Sequence, residues 1–121
     1  MSDKATVGRL LHQFFQAIEN RDMSQLPLAE RATYTGTMLP ESVAGSDAIR
    51  EYMSTTAPFI KSFNIEDTVI ESNAAAVLVH YEAINGVHFE GCYFMDVEKG
   101  QIARIRTVFD SQPLMQGGPG E

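Results

Sequence analysis

The sequence predicts an α+β fold in which a curved antiparallel β-sheet wraps around a long N-terminal helix and a second helix. Two observations carry this prediction: the order of the elements, and the short connections between the last four strands. Consecutive hairpins build an antiparallel sheet, and helices packed on one face of that sheet complete a two-layer domain. A twisted sheet that curls over the first helix leaves a hollow, and we expect a ligand site there.

A helix is predicted over residues 4–20. Its apolar residues recur with helical spacing and form one face, namely Val7, Leu10, Leu11, Phe14 and Ile18. Ser2 and Asp3 both precede this segment, and either residue could cap its first turn. A short turn over residues 23–26 is expected to follow.

The middle of the chain predicts one strand and a second helix. Residues 30–37 are rich in β-branched and aromatic side chains, which is typical of a strand, and 38–45 is expected to be a loop. Ser46 is a favourable N-cap for a helix with a buried stripe of Ile49, Met53 and Ala57. Pro58 should end this helix, because proline has no backbone N–H to donate.

Four strands are predicted in the second half of the chain, over residues 64–71, 74–84, 89–97 and 101–109. The dipeptide Asn85-Gly86 is a strong hairpin signal. Gly100 allows the positive φ that the last turn needs.

Alternation in the last two strands separates a core face from a partner face. The predicted core face carries Gly91, Tyr93, Met95, Val97, Ala103, Ile105, Thr107 and Phe109. The opposite face places Phe94, Ile102 and Val108 among charged side chains. Apolar side chains in such a setting suggest a homodimer through the outer sheet face.

Composition limits the classes of function. The 121 residues suit one domain, and nine basic against sixteen acidic residues give a net charge of −7. This charge argues against nucleic acid and against anionic membranes, because both partners attract basic surfaces. A single cysteine excludes an internal disulfide, and three scattered histidines have no metal-ligand spacing, so neither a metal nor a cofactor is predicted. Without a signal core or an apolar membrane span, we expect a cytoplasmic protein.

The sequence resembles the nuclear transport factor two-like superfamily, in particular its SnoaL-like and ketosteroid isomerase-like branch. Four passages carry the resemblance, at residues 14–22, 43–53, 93–102 and 108–110. We expect a single SnoaL-like domain over residues 1–111 and a flexible tail over 112–121. The resemblance implies a cone-shaped fold with an apolar pocket, and commonly a homodimer, but it does not define a reaction.

Catalytic residues of the relatives are missing at the matching positions. Ketosteroid isomerases use a tyrosine, a carboxylate base and a protonated aspartate. The resemblance places Phe14, Gly36 and Tyr93 at those positions, which argues against ketosteroid-type proton transfer.

Two further catalytic sets of the superfamily fit no better. The inward set of limonene epoxide hydrolase corresponds to Tyr81, Ala83 and Thr107, which cannot activate water in that way. The histidine and aspartate chemistry of SnoaL-like cyclases would need His80, His88 or Asp110. Strand alternation places His80 and Asp110 outside the pocket.

Two functions therefore remain open. The first is a SnoaL-like isomerase, cyclase or hydrolase that acts without a metal on a hydrophobic carbonyl compound, with Tyr34, Tyr93 and Thr107 as candidate catalytic residues. The second is a non-catalytic module that binds a hydrophobic ligand or a partner. Candidate ligand-binding residues are Phe14, Gly36, Met38, Met53, Phe59, Phe63, Val79, Tyr81, Met95, Ile105 and Phe109.

Overall fold

A computed structural model describes residues 3–37, 39 and 41–110 of the chain. The helices are α1 (Lys4–Glu19) and α2 (Ser46–Thr56), and short 3₁₀ turns lie at Met23–Gln25 and Ala57–Phe59. The strands are β1 (Leu28–Gly36), β2 (Val43–Ala44), β3 (Ile60–Ile70), β4 (Ala74–Ala83), β5 (His88–Glu98) and β6 (Gln101–Phe109). Met38 and the predicted tail over 112–121 lie outside the described residues.

Helix α1 begins and ends with specific caps. Of the two predicted caps, Asp3 is the N-cap, and its carboxylate accepts a hydrogen bond from Thr6 N at 2.8 Å. At the other end Arg21 takes a positive φ of 57°, and its N–H donates to the Ile18 carbonyl. The Arg21 guanidinium also donates to the carbonyls of Ala57 and Ile60, at 2.9 and 2.8 Å. These bonds tie the end of α1 to the connection between α2 and β3.

Ser46 is the first helical residue of α2, and not its N-cap as the sequence had predicted. Gly45 holds the cap position with φ 97°, and its carbonyl accepts from Ile49 N. Ile49 and Met53 are buried as predicted. Ala57 falls in the following 3₁₀ turn, because Pro58 cannot continue the helical hydrogen bonds.

The sheet has the strand order β2-β1-β6-β5-β4-β3. The α+β cone predicted from the sequence is confirmed, with one difference in strand direction. Strands β1 and β6 pair in parallel, so the sheet is mixed instead of wholly antiparallel. β1 pairs with a strand from the far end of the chain, and no hairpin sets the direction of that pairing. The segment 38–45, predicted as a loop, contributes the short strand β2, which pairs with β1.

The predicted face assignment is right for β5 and wrong for Ile102 in β6. Ile102 is 0% exposed and belongs to the core, although alternation placed it on the outer face. Asp96 pairs with Arg104 and Val97 pairs with Ile102, which leaves Ala103 as the extra residue of a β-bulge. A bulge shifts the alternation by one residue, so it turns Ile102 inward.

The core lies between the inner face of the sheet and the two helices. Its fully buried large side chains include Phe14, Ile49, Met95 and Ile105. Within the described part of the chain, no helix is long and apolar enough to cross a membrane.

Candidate functional site

A cavity of about 280 Å³ lies between the inner face of the sheet, helix α2 and the end of α1. Its walls are mostly aromatic and aliphatic, and its polar side chains are four tyrosines and one threonine. The lining residues are Ile18, Met23, Tyr34, Tyr52, Met53, Thr56, Ala57, Phe59, Ile60, Tyr81, Ala83, Phe89, Tyr93 and Phe109. Apolar walls with a few convergent polar groups are typical of small-molecule sites.

Two tyrosine hydroxyls meet at the wall of this cavity. Tyr81 on β4 and Tyr93 on β5 have their hydroxyl oxygens 2.5 Å apart, and the side chains are 3% and 5% exposed. Only one of the two hydroxyl protons can lie between the oxygens. The second O–H is therefore available to donate to a ligand atom in the cavity.

Aromatic rings hold the tyrosine pair in position. Phe14 and Phe15 of α1 pack edge-on against the Tyr93 ring, with centroids 5.8 and 5.4 Å away. The Tyr81 ring stacks on Phe89 at 5.0 Å. This packing restricts both rings, so the hydroxyls are fixed before a ligand arrives.

A third buried tyrosine lies on β1. The ring of Tyr34 is 5.4 Å from the ring of Tyr52 on α2, and an interaction with the Thr107 side chain partly offsets the rise in the pKa of Tyr34. Thr107 also donates to the Thr35 carbonyl at 3.3 Å. A Cβ at Gly36 would lie 2.2 Å from Thr107 Oγ1, so the absence of a side chain at Gly36 makes room for that threonine.

Burial keeps these tyrosines protonated. Desolvation is the largest cause that raises the pKa of Tyr34, Tyr81 and Tyr93 well above the ordinary value of 10.0. The hydroxyls are neutral at pH 7, so they act as hydrogen-bond donors and not as bases. Among the described residues that line the cavity there is no Asp, Glu, His, Lys, Arg or Cys.

The structure separates the predicted site residues into two groups. Residues that line the cavity are Tyr34, Met53, Phe59, Tyr81, Tyr93 and Phe109. Residues that lie outside its wall are Phe14, Gly36, Phe63, Val79, Met95, Ile105 and Thr107. Apart from Ile102 in β6, alternation selects the inner face correctly, but it cannot tell which part of that face is covered by α1 and which part borders the open cavity.

Sequence reasoning missed several wall residues. Tyr52, Phe89 and Ala83 line the cavity and were not predicted as ligand-binding residues, and neither were Ile18, Met23, Thr56, Ala57 and Ile60. Phe89 and Ala83 share the inner-face alternation of Tyr81, so that signal could have found them. His80 and Asp110 do not line the cavity, as alternation predicted.

The fold and the match to a family model together define the class of protein. This is an NTF2-like α+β cone with an apolar pocket, and a SnoaL-like domain model matches residues 11–105. The chain therefore belongs to the SnoaL-like domain family. No curated protein matches this sequence.

Solved structures of low sequence identity share the fold. An NTF2-like protein of unknown function from Mesorhizobium loti is 21% identical, with a TM-score of 0.80 over 88% of this chain and 93% of that one. A steroid delta-isomerase from Pseudomonas aeruginosa is 16% identical, with a TM-score of 0.80 over 94% and 86%. A de novo designed protein with a curved β-sheet is 15% identical, with a TM-score of 0.78 over 95% of both chains. These likenesses establish the fold and leave the reaction open.

Proposed function

We propose that this protein binds a hydrophobic small molecule that contains a carbonyl group, and that the Tyr81–Tyr93 pair donates a hydrogen bond to the carbonyl oxygen. The observation that carries the proposal is the pair of buried hydroxyls 2.5 Å apart at the wall of an apolar cavity. Their neutral state at pH 7 leaves one O–H to donate.

The same geometry supports isomerase- or cyclase-type chemistry. A donor fixed in a water-poor site stabilises the negative charge that develops on a carbonyl oxygen during enolisation or ring closure. Since the described lining residues include no general base, the proton would move between groups of the substrate itself or through water. Tyr93 and Tyr81 would polarise the carbonyl, and the aromatic walls would orient the substrate.

The lack of a general base also favours a second candidate, a binding module without turnover. Such a module needs only the apolar walls and the hydrogen bond. The two candidates predict the same binding and differ in whether a bound carbonyl compound reacts faster than it does in buffer.

Matched ligands test the binding proposal. The ketone 2-acetylnaphthalene and its carbonyl-free counterpart 2-ethylnaphthalene differ mainly in one oxygen, and their affinities can be measured by calorimetry. We expect Tyr93→Phe to weaken ketone binding by about 2- to 13-fold, the usual net value of one neutral hydrogen bond. The double variant Tyr81→Phe/Tyr93→Phe should lose the preference for the ketone, whereas Tyr52→Phe should retain it. An equal affinity of the wild type for both ligands would contradict the proposal.

Deuterium exchange separates the enzyme from the binding module. The methyl protons beside the carbonyl of 2-acetylnaphthalene exchange with D₂O through the enol, and NMR follows their loss. An isomerase-type site should accelerate this exchange above the buffer rate, and Tyr93→Phe should reduce the acceleration. A binding module should leave the exchange at the buffer rate while the ketone preference remains.

A further inference from the structure

A cluster of histidine and glutamate side chains lies on the outer face of the sheet, on the side away from the cavity. His80 on β4 is directly opposite Glu90 on β5. His80 Nε2 is 2.9 Å from His88 Nδ1, and the two rings are 5.2 Å apart. The hairpin turn at residues 84–87 therefore brings two imidazoles and a carboxylate together.

The third strand adds a second carboxylate to this cluster. Ile65 pairs with Val79 and Asp67 pairs with Leu78, so Glu66 is the extra residue of a β-bulge in β3. Bulges redirect side chains, and one ligand atom each of Glu66, His80 and Glu90 lies within 4.8 Å of the others. Three strands thus place one nitrogen and two oxygen donors close together on the outer face.

No lysine or arginine in the described part of the chain forms an ion pair with these carboxylates. The ion pairs among the described residues join Arg50 to Asp47, Lys61 to Glu82 and Arg104 to Asp96, and none includes Glu66 or Glu90. Glu66 and Glu90 instead each place a carboxylate oxygen within 4.8 Å of the other and of a ring nitrogen of His80. Two carboxylates this close, with no lysine or arginine paired to either in the described part of the chain, form a site where a bound cation would be stabilised.

We propose that Glu66, His80 and Glu90 bind one zinc ion or a similar divalent transition-metal ion, and that His88 is the positioning residue that orients the His80 ring. Zinc takes imidazole nitrogen and carboxylate oxygen at about 2.0–2.2 Å, and three protein ligands leave a position for water. The ligand atoms lie within 4.8 Å of one another and must draw closer around the ion, which the exposed glutamate side chains can do by rotating. A ligating histidine usually donates its other ring N–H to an outer-shell acceptor, and His88 Nδ1 can accept from His80 Nε2 at 2.9 Å. Mg²⁺ and Ca²⁺ prefer all-oxygen sites and should bind more weakly.

Calorimetric titration of the untagged protein with zinc sulfate tests this site. We expect one Zn²⁺ per chain in the wild type, and an affinity at least about tenfold lower in Glu66→Gln, His80→Gln and Glu90→Gln. His12→Gln is the matched control, because His12 is exposed on α1 and distant in sequence from the cluster. Circular dichroism checks that each variant is folded, which we expect because the substituted side chains lie on the outer face.

The role of His88 needs a readout beyond the loss of affinity. His88→Gln retains a hydrogen-bonding side chain and should bind zinc nearly as well as the wild type, whereas His88→Ala should bind about 10- to 100-fold more weakly. Cobalt substitution gives a visible spectrum whose loss in His80→Gln would show that the imidazole is a direct ligand. Absence of zinc binding by the wild type would overturn the proposal. Binding that is unchanged in all three ligand variants, or that Mg²⁺ reproduces, would also overturn it.

Discussion

Gly91→Ala should destabilise the protein by displacing Phe109 from the cavity wall. Gly91 and Phe109 pair directly across β5 and β6. A Cβ at position 91 would lie 2.2 Å from Phe109 Cδ1 and 2.3 Å from Cε1, so the ring must move by more than an ångström to restore ordinary contact. Gly91 has no positive φ that would favour glycine. Glycine is required here because the Phe109 ring occupies the position of a side chain.

The expected cost follows from the contacts that Phe109 would lose. Its ring lies 5.9 Å from Tyr81, 6.1 Å from Phe89 and 5.9 Å from Tyr93. Each aromatic pair contributes about 0.5–1.5 kcal/mol, and alanine in a strand recovers roughly 0.5–1 kcal/mol of backbone entropy relative to glycine. We therefore expect the free energy of unfolding to fall by about 1–3 kcal/mol.

Urea denaturation of four proteins measures this effect: wild type, Gly91→Ala, Phe109→Ala and the double variant. With the ring removed, Gly91→Ala should cost nothing or stabilise slightly. The matched control is Gly8→Ala in α1, where a Cβ would meet Ile70 Cδ1 at an ordinary 3.7 Å and should stabilise the helix by about 0.5–1 kcal/mol. If the costs of Gly91→Ala and Phe109→Ala simply add, the proposed displacement of Phe109 is wrong.

Three further predictions follow. Because burial raises the pKa of Tyr81 and Tyr93 in the folded state, their contribution to the free energy of unfolding should be constant near neutral pH. It should fall as the pH rises above about 10, when the tyrosines of the unfolded chain ionise. Each tyrosine contributes up to about 1.4 kcal/mol per pH unit, so Tyr81→Phe/Tyr93→Phe should flatten the fall measured by urea denaturation. Sedimentation equilibrium should give a homodimer through the outer face, where Phe94 is 39% and Val108 is 47% exposed, and Phe94→Lys should give a monomer; a monomeric wild type would contradict this. A Δ5-3-ketosteroid should isomerise no faster than in buffer, because no carboxylate base lies among the described lining residues; turnover that Tyr93→Phe abolishes would contradict this.

Local patterns in the sequence predicted most of the elements. The apolar stripe of α1 and the turn residues at Gly86 and Gly100 are short-range signals. The bounds that they predict for the first helix and the later strands lie close to the observed bounds. The pairing of β1 with β6 was not predictable in the same way, because no short turn connects these strands. Ile102 was misplaced because a single bulged residue reverses the alternation that the prediction relied on.

The candidate site was predictable only in part. Alternation placed Tyr93 on the inner face, where it is buried and lines the cavity. Its contact with Tyr81 depends on the offset between β4 and β5, which pairs Tyr93 with Val77 and lets the long side chains meet diagonally. The outer cluster of Glu66, His80 and Glu90 depends on a bulge as well, so the spacing of the histidines gave no sign of it.

The most direct test of the proposed function is the infrared carbonyl stretch of bound 2-acetylnaphthalene, labelled with ¹³C at the carbonyl. A hydrogen bond from the Tyr81–Tyr93 pair should lower the stretching frequency in the wild type relative to the same ketone in hexane. In Tyr81→Phe/Tyr93→Phe, which replaces both hydroxyls by apolar groups and should remain folded, the frequency should return close to the hexane value. An identical frequency in the wild type and the double variant would contradict the proposal that this pair binds the ligand oxygen.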